Sequence, residues 1–87
     1  MSEEGTLSIV RRGSGYQVRY ASNNPYDPDC PPHACHDEDT LTTFLDHFGL
    51  EAVAIHQACV AAQTGRVAVL RILVSPGQRQ TFFPPTL

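Results

Sequence analysis

Between Asp27 and Thr40 the chain reads DPDCPPHACHDEDT. This segment holds Cys30 and Cys35, two of the three cysteines, and His33 and His36, two of the four histidines. Thiolate sulfur and imidazole nitrogen are the donors that zinc prefers. Cys30, His33, Cys35 and His36 are therefore the candidate metal ligands, and zinc is the candidate cofactor. The spacing C-x2-H-x-C-H speaks against all four closing on one ion, because adjacent side chains such as Cys35 and His36 diverge. Structural zinc sites use separated pairs of ligands. A second pair exists: His56 and Cys59 stand three residues apart and share a face if their segment is helical. A site of Cys30, Cys35, His56 and Cys59 then requires the loop to fold across that helix. The competing reading makes Cys59 a small core residue and leaves His56 with no ligand duty. The spacing matches no established metal-binding pattern.

Other chemistries have less support. Cys30 and Cys35 have four residues between them, where a thiol oxidoreductase motif has two. Asp37, Glu38 and Asp39 surround Cys35 with negative charge, which raises a thiol pKa and opposes reactivity. His33, His36, His47 and His56 are each available as a general base. However, the chain contains no G-x-S-x-G, no H-E-x-x-H and no P-loop. The expectation is a protein without catalytic residues.

The elements that must position these side chains follow from periodicity. TLSIVRRGSGYQVRYAS alternates on either side of Gly13-Ser14 and predicts a β-hairpin. A two-residue type II′ turn at Gly13-Ser14 sets Ile9 opposite Val18 and Leu7 opposite Tyr20. Residues 23–36 have no period and carry four prolines, Pro25, Pro28, Pro31 and Pro32, so they predict a long loop. Leu41, Phe44, Leu45 and Phe48 form one apolar stripe and predict a short helix, with Asp39 as N-cap and Gly49 as its stop. Part of the acidic run is thereby explained, since acids favour a helix start. EAVAIHQACVAAQTG predicts a second helix with Ala52, Ile55, Cys59 and Ala62 on one stripe. RVAVLRILVS is apolar on nearly both faces and predicts a central strand. Pro76-Gly77 predicts a turn, and QRQTFF a short edge strand. The order ββααββ implies an α+β domain: a two-layer antiparallel sheet of about four strands with two helices on one face. Phe44, Phe48, Ile55, Leu70 and Ile72 are the expected core, and Asn24 to His36 is expected to be dispensable for folding.

At 87 residues the chain is expected to form a single small domain, 1–87. Its net charge of -3 disfavours general nucleic-acid binding, which needs a basic stripe. No apolar run is long enough to span a membrane. The N-terminal residues lack a signal-peptide pattern, so a cytoplasmic location is expected. The predicted helix–turn–helix–strand–turn–strand over Asp39 to Phe83 resembles the element order of a winged helix, the basis for a DNA-binding alternative. The second helix carries no basic residue toward bases, which weakens it. Arg11, Arg12 and Arg19 on the hairpin, the acids of the loop, and aromatic residues such as Tyr16, Tyr20, Tyr26, Phe82 and Phe83 are the types that interfaces use. The expected function is a small soluble interaction or regulatory domain, non-enzymatic, with a protein partner or a homodimer. Metal binding and winged-helix-like DNA binding are the alternatives.

Overall fold

The structure, a computed structural model, describes residues 3–23 and 31–83. Four antiparallel strands form one sheet with three helices around it. Strands β1 (Glu3–Arg12) and β2 (Gly15–Ser22) make the hairpin. Its register pairs Leu7 with Tyr20, Ser8 with Arg19 and Ile9 with Val18, as the alternation predicts. Gly13 takes φ 61° while Ser14 stays at negative φ, which is the type II′ requirement for glycine at the first turn position.

A three-residue strand, β3 (His33–Cys35), then pairs with Tyr16, Gln17 and Val18 of β2. Here the structure departs from the expected loop. His33 and Cys35 alternate with Ala34 across the sheet, and Cys35 is fully buried. Cys35, in the last third of the segment expected to be dispensable for folding, is therefore a core residue. Residues 24–30, with Cys30 and Tyr26, lie outside the described residues.

Helix α1 (Glu38–Asp46) starts earlier than the acids suggest. Asp37 is the N-cap, not Asp39, and its carboxylate accepts the Thr40 N–H at 2.7 Å. Gly49, at φ 71°, provides the left-handed stop. Helix α2 (Ala52–Gln63) buries Ile55, Ala58, Cys59 and Ala62, while Ala52 faces solvent. α1 packs on β2 and β3, α2 packs on β1 and on the final strand, and the two helices pack on each other.

That final strand, β4 (Ala68–Val74), pairs among the described residues with β1 alone, giving the sheet order β3-β2-β1-β4. It is an edge strand, not the central strand expected from its apolar composition. The cause lies in the segment that follows. Residues Pro76–Phe82 form helix α3 in place of the expected turn and edge strand. Ser75 and Gln78 make a reciprocal capping box, with Pro76 at the first helical position. Those local bonds outweigh the β-propensity of Phe82 and Phe83. The order is therefore βββααβα, still an α+β domain with a four-stranded antiparallel sheet. The strand–turn–strand of a winged helix is absent from the described residues, and the resemblance in element order ends there.

α3 returns the chain beneath the sheet. Phe83 is fully buried and stacks on Tyr20 with ring centroids 5.0 Å apart. The Tyr20 hydroxyl donates to Glu3 Oε1 at 2.8 Å, and Arg79 Nη1 meets the same oxygen at 2.7 Å. Burial, then the Glu3 carboxylate, pushes the Tyr20 phenol up to about 12. Of the expected core residues, Phe44, Ile55 and Ile72 are buried, and Phe48 and Leu70 pack against the cluster half-exposed.

Candidate functional site

The structure distributes the candidate ligands instead of gathering them. His33 lies flat on Phe44, ring centroids 4.2 Å apart and 11° from parallel, with Phe82 at its edge. Burial lowers its pKa below the usual histidine value. The next histidine, His36, is exposed at the start of α1, with Nε2 3.1 Å from Asp37 Oδ2. Cys35 points into the core between sheet and helices. Burial, reinforced by Asp37, raises its thiol to about 11. Cys59 is also buried and raised by burial, and its sulfur sits 3.9 Å from the Thr42 hydroxyl of α1. His56 faces solvent one turn before it. The second candidate pair is thus divided between core and surface. Among the described residues, no three of His, Cys, Asp and Glu are placed to hold a metal ion. Cys30 is not among those residues.

One local arrangement has the residue types of a nucleophile and its base. The Thr40 hydroxyl lies 3.4 Å from His36 Nε2, and that same nitrogen faces Asp37. The hydroxyl is also 3.5 Å from His36 Nδ1, nearly equidistant from both ring nitrogens, so it is not aimed at either one as a nucleophile is at its base. The Asp37 carboxylate is engaged as a helix cap, and its pKa is held down chiefly by the Thr40 N–H. His36 is 81% exposed. The arrangement orders a helix start.

Two measurements follow from this geometry. A thiol raised from 9.0 to about 11 holds about 100-fold less thiolate near neutral pH, and burial slows reagent access further. Cys35 is therefore expected to label slowly in the folded protein and rapidly in denaturant, as read by mass spectrometry of the modified peptide. Rapid labelling of Cys35 without unfolding would contradict its placement. His33 makes stability pH-dependent. Its folded pKa is depressed, so the unfolded chain binds more protons just below its ordinary value near 6.5. The stacked neutral ring contributes fully above that value, and the contribution is lost as pH falls through the folded pKa. The melting temperature should fall across that acid window, and less steeply in His33→Phe.

A second feature is not legible as a surface in the sequence. Val67 is 59% exposed, Val69 61% and Leu73 63%. Val69 and Leu73 stand on the face of β4 turned away from the helices, and Val67 immediately precedes the strand. On the neighbouring strands that same face is mostly polar, with Glu4, Thr6, Ser8, Gln17 and Arg19. The apolar residues thus line the unpaired side of the sheet. The signal is present as the two-sided apolarity of AVLRILV. It indicates a covered strand, but the cover does not come from elsewhere in the described chain.

Compared with known proteins, the chain matches no family model, no curated protein and no solved structure. Among the described residues, no helix is long and apolar enough to cross a membrane.

Proposed function

We propose that the protein is an interaction module whose working surface is the open edge and outer face of β4. One observation carries this reading. Among the described residues, a seven-residue strand with six apolar side chains pairs on one side only. Edge strands are commonly protected by lysine, proline, a bulge or brevity, because unpaired N–H and C=O groups recruit other strands. β4 has none of these devices; Arg71 is its one charge. Strand addition satisfies such an edge through main-chain hydrogen bonds, with alternate side chains giving selectivity.

Cys35 and Cys59 act as core residues, and His33 as a packed ring. Zinc binding through Cys30, His33, Cys35 and His36 is the second reading, and it rests on donor types alone. Stoichiometric zinc in protein purified without a metal-affinity tag, lost in Cys35→Ser, would favour it over ours.

The test of the interaction reading uses a synthetic peptide copying residues 66–75. Titrated into the labelled protein, it is expected to shift the NMR resonances of β4 and the adjoining flank of α2. A scrambled peptide of the same composition should not. Absence of any shift in protein that sediments as a monomer, or shifts centred on β3, would remove the β4 surface as the working site.

A further inference from the structure

We infer that the occupant of the β4 edge is a second copy of this chain, in a two-fold dimer. β4 pairs antiparallel with its own counterpart, joining two four-stranded sheets into one of eight strands. This rests on the interaction reading above and names its partner.

Three observations select a copy over other occupants. First, an antiparallel strand is its own complement, since a two-fold axis normal to the sheet sets each residue opposite one of like face. Face-to-face stacking of two sheets is disfavoured, because it buries Glu4, Arg19 and Arg71 along with Val69 and Leu73.

Second, the helix-facing row of β4 is incompletely covered. Ala68, Ile72 and Val74 are buried, whereas Leu70, in the middle of that row, is half-exposed. Placing the axis at Leu70 sets it against the copy's Leu70. On the outer face Val67 then meets the copy's Leu73, and Val69 meets the aliphatic stem of the copy's Arg71. An axis at Arg71 would set two like charges directly opposite, which is destabilising. Leu70, the one half-exposed member of the helix-facing row, is therefore placed at the axis.

Third, the helices fit. α2 lies over the β1–β4 pair, and its Cys59 flank meets α1 through Thr42. The other flank, at 100° per residue, carries Ala54 and Ala61, both half-exposed. Strands lie about 4.8 Å apart, so pairing β4 with its copy sets the two α2 helices about 10 Å apart, within the range of helix–helix packing. Small residues on the facing flanks suit that approach. A lone foreign strand would satisfy the edge but leave this flank open.

Sedimentation across the micromolar range, with wild type and the Val69→Lys/Leu73→Lys variant, tests the proposal. The expected result is a dimer of the 9.5-kDa chain and a monomeric variant with unchanged circular dichroism. Leu70→Cys, in a Cys30→Ser background, is expected to form one intermolecular disulfide under mild oxidation. Val67→Cys/Leu73→Cys should cross-link likewise, and neither single variant of that pair should. If the lysine variant fails to fold, the cross-links decide. A wild-type monomer throughout that range overturns the proposal, and peptide binding would then leave the interaction reading standing. A dimer that survives the lysine pair without a Leu70→Cys cross-link overturns it too. Cross-linking through Arg71→Cys in place of Leu70→Cys overturns the register.

Discussion

Phe44→Ala is expected to lower stability by about 3–5 kcal/mol, the range for truncating a buried phenylalanine. Phe44 is the hub of the aromatic group. His33 stacks on one side of it, and Phe48, Phe82 and Phe83 meet it edge-on at 5.2–5.7 Å. These partners come from β3, from the end of α1 and from the end of α3. Removing the ring leaves a void that separate elements must collapse to fill. Small domains have total stabilities of roughly 5–15 kcal/mol, so this is a large share. Chemical denaturation should show a lowered midpoint with the slope retained. A change below about 1 kcal/mol would contradict the packing, since buried aromatic truncations cost more than that.

Gly15→Ala is expected to cost about 1–3 kcal/mol, the usual range for overpacking. Its backbone angle is ordinary, so the cost comes from lack of space alone. A β-carbon there would lie 2.6 Å from the Cys35 carbonyl oxygen and 3.2 Å from the His36 α-carbon. Both are backbone atoms, so β3 must move as a unit. The expected sign of that movement is faster labelling of Cys35, because the thiol leaves its buried place. Gly77→Ala is the control. A β-carbon at that position would have nothing within 4 Å, and alanine favours the helix there. That variant should keep its stability or gain slightly. Equal melts for the two glycine variants would show that β3 is not docked against β2.

The hairpin, both longer helices and the glycine stops can be read from the chain because their signals are local. Alternation across Gly13-Ser14 specifies which residue faces which. The stripe of Leu41, Phe44 and Leu45 specifies which side of α1 is buried. Legibility fails where a non-local partner decides the outcome. HAC is too short to show a period, and becomes a strand only because the exposed side of β2 is there to pair with it. SPGQ is different, since its signal is local: Pro-Gly suggests a turn, yet the same four residues contain a capping box. The helix that the box starts removes the expected last strand, and β4 moves from the centre of the sheet to its edge. The candidate ligands are legible as donor types, but not as a site. Whether Cys59 and His56 converge depends on helix phase, and the phase buries one and exposes the other.

The central position of β1 has a consequence for how the chain reaches this state. β1 is made first, yet one of its two neighbours, β4, follows only after α1 and α2. The hairpin can close early, because its contacts are near in sequence. The second side of β1 must wait, and pairings of such long sequence separation are slow to form. During synthesis the β1 edge that will receive β4 stands open until β4 itself is made. That interval is when a nascent chain is most prone to pair with a neighbour. Slowing translation between α2 and β4 should lengthen it, and should show as a larger aggregated fraction with no change in the stability of the protein that does fold.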